Sequence, residues 1–336
     1  MNRRVVLSWL GAVGVSALAE RRDTHAPAAA ETAGGWEKYG GNPVLGGEYG
    51  TCFDISVLQD NGVFRMWLSW RPKKSVALSE SADGIHWSAP QIVLAPNPAS
   101  GWEDDINRPT VVRRADGYHM WYTGQISTHG LSAEGREDGH SAIGYATSPD
   151  GVNWTRRSMK PVLSPKSPWE DVALMCPDAH WDEKNGQWRL WYSGGAQYEP
   201  NAIGYATSKD GLKWVKDPEN PVFRPDPQFD WEKQRVAGIQ VIPHGDWFYA
   251  LYVGYRDIDH AQIGLARSRD GLHNWERCAA NPIIRAIGEG FDADACYKPF
   301  AVYSKGKWML WYNGRNVHLE QIGLATHEGP SLGFQD

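Results

Sequence analysis

The stretch Ile143-Gly144-Tyr145-Ala146-Thr147-Ser148-Pro149-Asp150-Gly151-Val152-Asn153-Trp154 decides the fold, because the chain repeats it. It returns as IGYATSKDGLKW (203–214), IGLARSRDGLHNW (263–275) and IGLATHEG (322–329), and more loosely as VALSESADGIHW (76–87). Gly144, Gly204, Gly264 and Gly323 lie 60, 60 and 59 residues apart. A fixed period of that length marks one supersecondary unit used several times over. An aromatic segment precedes each copy: RMWLSW (65–70), HMWYTG (119–124), RLWYSG (189–194), YALYVG (249–254) and MLWYNG (309–314). An apolar segment precedes that: FDISVL (53–58), RPTVV (108–112), PDAHW (177–181), GIQVI (238–242) and KPFAV (298–302). Short segments follow: QIVL (91–94), KPVL (160–163), NPVF (220–223) and NPII (281–284).

Four short strands per period, five times over, predict an all-β protein, a five-bladed β-propeller. The Asp-Gly of each S-x-D-G-x-x-W suits a tight turn, since Gly accepts positive φ. The Trp that follows is expected to pack between blades. The last repeat lacks a fourth strand, while NPVL (42–45) stands alone behind Trp36. Residues 36–45 are therefore expected to complete the last blade and close the ring, which removes an exposed edge. Residues 36–334 are expected to form a single propeller domain.

Composition agrees. The 336 residues include 18 Trp, 14 Tyr, 36 Gly and 21 Pro, rich in strand formers and turn residues. Net charge is −6, and about −8 once Arg3 and Arg4 are set aside. That sign argues against nucleic acid or an anionic membrane as partner. No apolar run of about 18 residues occurs beyond residue 30, so no membrane span is expected in the body. A monomer is the expectation. Residues 1–30 read as a signal peptide and spacer: Arg3 and Arg4, the apolar VVLSWLGAVGVSALA, then Ala17-x-Ala19. Asn2-Arg3-Arg4-Val5-Val6-Leu7 also resembles a twin-arginine signal. The folded part is expected outside the cytoplasm, periplasmic or extracellular.

IGYATSxDGxxW with MWYxG strands resembles the five-bladed glycoside hydrolases of family 43, their relatives in families 32 and 68, and the mannoside-active family 130. The resemblance covers residues 36–334. It implies a glycoside hydrolase with three carboxylates in an axial funnel, and the long loop Ile126–Gly139, read as a lid, makes exo action the expectation. Phe53-Asp54-Ile55-Ser56-Val57 takes the place of the family 43 segment that carries the base, with Ile55 where a Pro would stand. Cys176-Pro177-Asp178-Ala179 resembles its A-P-D segment. The W-M-N-D-P-N-G and R-D-P motifs of family 32 are absent.

In a propeller, loops entering the inner strands share one face with loops joining strands two and three. That places Asp54, Asn107, Arg108, Cys176, Asp178, Asp294 and Lys298 near Trp70, Arg71, Lys73, Lys74, Gln125, Tyr198, Glu199, Arg315 and Glu320. Asp54 is assigned as general base or nucleophile, Asp178 as charge stabiliser and Glu199 as general acid. A turn cap, a structural ion pair and a solvated loop carboxylate are their respective alternatives. Asp105, Asp294 and Glu320 stand in reserve. Trp70, Arg71, Lys73, Asn107, Arg108, Gln125, Tyr198, Lys298, Arg315 and Glu320 are assigned to substrate binding. Trp102-Glu103, Trp169-Glu170 and Trp231-Glu232 recur with the blades and read as blade-edge structure.

The surplus of basic side chains favours an anionic sugar, a uronate or sulfated unit. Isolated surface lysines are the alternative, and so is phosphate binding of the family 130 type. Export argues against the latter, because phosphorolysis conserves energy only inside the cell. The framework repeats while Asp54, Arg108, Cys176, Gly238 and Lys298 differ at equivalent positions, which suits an enzyme better than a carbohydrate-binding propeller of equal sites. Cys52 and Cys296 share register in blades one and five, so a disulfide is weighed there against buried thiols. No C-x-x-C metal spacing occurs. No cofactor is called for, and an axial structural Ca²⁺ stays open. Ile126–Gly139 is a long charged insertion, expected on the surface as a lid or a tolerated loop.

Overall fold

The structure is a computed structural model describing residues 30–126, 140–197 and 200–334. The segment expected to be a signal peptide (1–29), residues 127–139 of the long insertion, Tyr198 and Glu199 lie outside the described residues. Among the described residues no helix is long and apolar enough to cross a membrane.

The described chain is built from antiparallel meanders. After a two-residue strand β1 (Glu37–Lys38) come β2 (Cys52–Asp60), β3 (Val63–Trp70), β4 (Ser75–Ser81) and β5 (Gln91–Leu94). The second meander is β6 (Asp105–Arg114), β7 (Gly117–Gln125), β8 (Ser141–Ser148) and β9 (Thr155–Arg156). The third is β10 (Ala173–Asp182), β11 (Gln187–Gly195), β12 (Pro200–Ser208) and β13 (Trp214–Lys216). A single parallel pairing, Ala173 with Ser141, joins these two into one sheet. Then follow β14 (Arg235–His244), β15 (Trp247–Asp257), β16 (His260–Ser268) and β17 (Glu276–Arg277). The last comprises β18 (Ala295–Ser304), β19 (Lys307–Asn316) and β20 (Leu319–Glu328), with β1 as its fourth strand.

The repeated residues stitch one meander to the next. Trp67, Trp121 and Trp191 each donate the indole N–H to the glycine carbonyl of the following meander's Asp-Gly turn, at Gly151, Gly211 and Gly271. Trp311 of the last meander does the same to Gly84 of the first, at 2.8 Å. The turn Trp then packs edge-on against that indole, as Trp154 does on Trp67 and Trp87 on Trp311. Gly144 has no alternative: a Cβ there would meet the Tyr122 ring at 2.4 Å.

The buried glutamates of the Trp-Glu pairs each bind a Tyr of the second strand and a cation of the fourth. Glu103 takes Tyr122 and Arg156, Glu170 takes Tyr192 and Lys216, and Glu232 takes Tyr252 and Arg277. In the last meander Asp292 takes Tyr312 and Lys38, each at 2.8 Å. Lys38 pairs with Ala325 as Arg156, Lys216 and Arg277 pair with Ala146, Ala206 and Ala266. Thus β1 fills the fourth-strand place with the matching residue in register.

One expectation is corrected. Only QIVL forms the fourth strand where it was placed. KPVL and NPVF instead give one isolated pairing each, Leu163 with Ile143 and Phe223 with Ile203, and in NPII Ile284 pairs singly with Ile263 and with Thr32. The short ladders lie upstream, at β9, β13 and β17. Each of those three segments carries a Pro, which has no N–H for the ladder, and QIVL carries none. Of the two readings weighed for Cys52 and Cys296, the structure has the buried thiols: all four cysteines are free and buried.

Candidate functional site

The inner strands β2, β6, β10, β14 and β18 are each broken by a bulge at one equivalent position. The bulge residues are Asp54, Arg108, Cys176, Gly238 and Lys298, with φ of 43°, 53°, 50°, 54° and 34°. Only Gly238 takes that conformation without steric cost, so the other four carry local strain of the kind found at ligand sites. The bulged N–H of Arg108, Cys176 and Gly238 is held by Ser69, Thr123 and Ser193 of the preceding meander. Asn313 of the last meander holds that of Asp54, at 3.4 Å.

All five bulge residues line one cavity of about 250 Å³. Asp54 Oδ2 meets Arg108 Nε at 2.8 Å, both side chains almost wholly buried. The guanidinium of Arg108 also donates to Asn107 Oδ1 at 2.8 Å, and Asn107 is fixed in turn by Asp105 and Gln125. Arg71 lies over the Phe53 ring, 4.2 Å from its centroid, and reaches Glu320 Oε1 at 3.4 Å. Asn313 donates from Nδ2 to the other oxygen of Glu320 at 3.4 Å. Burial raises the Glu320 carboxyl above its ordinary range and the charge of Asp54 adds to this, against Arg71, Arg108 and Arg315. Burial and Asp54 push the Cys176 thiol up to about 11, so it is neutral and no nucleophile.

The cavity therefore collects Asp54, Arg71, Arg108, Gln125, Lys298, Arg315 and Glu320 from the expected set, with Asn107 behind them. Trp70 and Lys73 pack on each other, the ammonium 5.7 Å from the ring centroid, outside the cavity lining. Asp294 caps the Val317 N–H at 2.7 Å. Tyr198 and Glu199 lie outside the described residues.

Asp178 is corrected. It lines a second cavity further along the same strands, away from Asp54. Its Oδ2 accepts the Val241 N–H at 2.8 Å and contacts His180 Nε2 at 3.0 Å. Ser56, Thr110 and Gln240, at the equivalent position, accept the N–H of Val111, Ala179 and Ala301 in the same way. Asp178 is a stitch between inner strands.

Asn313 and Phe53 were missed. Asn313 had a legible signal, as the odd member of the series Ser69, Thr123, Ser193, Val253. As for an axial Ca²⁺, that ion takes six to eight oxygens. The five bulge residues offer one carboxylate and two cations, and among the described residues no three His, Cys, Asp or Glu gather as a metal site. The donor set does not fit it.

A model of the family described as glycosyl hydrolases family 32 N-terminal domain matches residues 56–233. The uncharacterized protein Rv1502 of Mycobacterium tuberculosis is 26% identical, over 80% of this chain and 89% of its own. A thermostable family-43 glycoside hydrolase superposes with a TM-score of 0.62 at 17% identity, over 81% of this chain and 88% of its own. A structure described under the GH130 family of mannoside phosphorylases, which contains glycoside hydrolases that target β-1,2 mannosidic linkages in Candida mannan, gives a TM-score of 0.66 at 16% identity. It covers 91% of this chain and 98% of its own.

Proposed function

The chain belongs to the glycosyl hydrolases family 32 N-terminal domain family, and from that premise we propose that it is an exported, exo-acting glycoside hydrolase. The observation that carries the reading is the placement of Asp54 and Glu320 on one cavity in unlike surroundings. Asp54 is ion-paired with Arg108. Glu320 is buried enough to hold its proton above the ordinary carboxylate range. Glycoside hydrolysis needs that division: one carboxyl group gives a proton to the leaving oxygen, the other faces the anomeric carbon or activates water. Asp54 is the nucleophile or base, and Glu320 is the acid. Arg108 and Asn107 orient Asp54, and Asn313 spans the two carboxyl groups through the Asp54 N–H and Glu320 Oε2.

The cavity, about 250 Å³, falls just below the ~300–1,000 Å³ usual for ligand sites. It suits a terminal sugar better than the middle of a chain, which supports exo action. We read the meanders as five blades of a closed ring. The Trp311–Gly84 and Asn313–Asp54 bonds between the last meander and the first support this, as does β1 beside β20. Export rests on the sequence of residues 1–30.

The test is a screen of the purified chain against aryl glycosides and plant and bacterial oligosaccharides, uronates included, with Asp54→Asn and Glu320→Gln alongside. Release of a terminal sugar by the wild type is expected, with its loss in folded Asp54→Asn on every substrate and in folded Glu320→Gln on the unactivated oligosaccharides. A chain that binds sugars and cleaves none would make it a binding propeller instead.

A further inference from the structure

Four cations line the cavity, Arg71, Arg108, Lys298 and Arg315, against two carboxylates, Asp54 and Glu320. Asp54 is already engaged by Arg108, and Glu320, which holds its proton as the acid, touches Arg71 at 3.4 Å without supplying a full counter-charge. Lys298 is 2% exposed, yet among the described residues its ammonium has one hydrogen bond, to the Ile239 carbonyl at 3.2 Å. An ammonium carries three donors. Arg315 gives one Nη to the Asp259 carbonyl, and its Nε is buried with no hydrogen-bond partner. Neither side chain has a carboxylate oxygen within salt-bridge distance among the described residues. Burying a charge such as that of Lys298 without a counter-charge is costly, as is the unmet Nε of the half-buried Arg315, and a ligand at the cavity can supply the missing partner. Lys298 also sits at a bulge of positive φ, so its backbone strain accompanies its placement at the cavity.

We propose, resting on the hydrolase reading, that the glycone bound here carries an anionic group, a uronate carboxylate or a sulfate ester, seated on Lys298 and Arg315. The fixed positive charge attracts the acid group, and it sets the ring's orientation with the anomeric carbon toward Asp54 and Glu320. A neutral hexose of the same shape leaves both donors unmet.

Titration calorimetry on the whole chain tests this with D-glucuronate, D-galacturonate, glucose 6-sulfate, the neutral parents glucose and galactose, and inorganic phosphate. At least one acid sugar should bind about tenfold or more tighter than its parent, as a charge-assisted contact implies. That preference should shrink to about threefold or less in Lys298→Met. Should Lys298→Met fail to fold, Arg315→Gln at the cavity's edge should show a weakened preference. Which acid sugar wins separates the carboxylate from the ester. Equal binding of parent and acid, no binding of any sugar, or inorganic phosphate binding as tightly as the acid sugars would overturn the proposal. Parallel hydrolysis of aryl uronides and aryl hexosides separates the two readings. Uronic acids bound and uronides uncleaved leaves the anion site standing and removes the hydrolase. Hexosides cleaved as fast as uronides does the reverse.

Discussion

Asp54 and Arg108 hold the same place in consecutive inner strands and close on each other, Oδ2 to Nε, at 2.8 Å. The carboxylate assigned to the anomeric carbon is thus oriented by the neighbouring repeat, and Asn107 fixes the guanidinium from behind. A bulge that elsewhere turns Cys176 or Gly238 into the cavity here presents a fixed ion pair.

Asp54→Asn keeps the shape and removes the charge. It should lower kcat by about 10²–10⁴-fold, the usual worth of a positioned acid or base. Circular dichroism and the thermal midpoint should be close to wild type. Full activity in a folded Asp54→Asn would place the reacting carboxylate elsewhere.

The acid role proposed for Glu320 requires it to be protonated. Since burial raises its carboxyl, activity should hold above the ordinary glutamate range, then fall as pH rises through the shifted value. Glu320→Gln should remove that alkaline limb. It should also cost more on substrates with poor leaving groups than on activated aryl glycosides, which need less proton assistance. An unchanged kcat/KM–pH profile in Glu320→Gln would assign the limb to another group.

Much of this was legible in the repeat. The aromatic and IGYA segments lie inside the second and third strands of their meanders, as HMWYTG does in β7 and IGYATS in β8. Equivalence of register alone aligned Asp54, Arg108, Cys176, Gly238 and Lys298. Periodicity could not say which way a side chain turns past a bulge. Asp178 lies two residues beyond Cys176, and its carboxylate satisfies a backbone N–H in the adjacent strand, a partner distant in sequence. Glu320 looked secondary because its burial comes from three-dimensional packing against Arg71 and Asn313.

Asp178 should therefore matter to stability more than to chemistry. Asp178→Ala leaves the Val241 N–H buried without an acceptor, a loss of about 1–3 kcal/mol. Asp178→Asn keeps an oxygen there and should lose less. Urea midpoints would show the order, and kcat for Asp178→Asn should stay within about threefold of wild type. A collapse of kcat with unchanged stability would return Asp178 to the catalytic set.

The Asp-Gly turns set the acid limit of the fold. Asp83, Asp150, Asp210 and Asp270 each accept two backbone N–H groups at 2.8–2.9 Å, which holds their carboxyls below the usual range. A lowered folded-state value gives stability that is present above the unfolded carboxylate range and lost as pH falls toward the folded one. Asp210→Asn should thus be less stable than wild type at pH 7, and the gap in urea midpoint should narrow below about pH 4. A gap constant with pH would mean that the charge adds nothing.

Lys38 and Asp292 tie the N-terminal strand to the last meander, and their removal should loosen both. The pair is 2.8 Å apart with side chains 10% and 5% exposed, so solvent screens it little. Lys38 also donates to the Arg285 carbonyl. Lys38→Met leaves the Asp292 carboxylate buried against Tyr312 and the Cys296 thiol alone. Breaking a buried pair from one side costs about 3–5 kcal/mol, because the remaining charge is stranded. Asp292→Asn in the Lys38→Met background removes that charge and should recover part of the loss. A double-mutant cycle in urea would report this as a coupling of at least about 1 kcal/mol. Arg277→Met, against Glu232 in the fourth meander, is the internal control, since it breaks the same arrangement within a continuous chain segment. A comparable cost at both sites would make β1 an integral fourth strand. A loss under about 1 kcal/mol for Lys38→Met, with the full cost at Arg277, would make it a loosely attached arm.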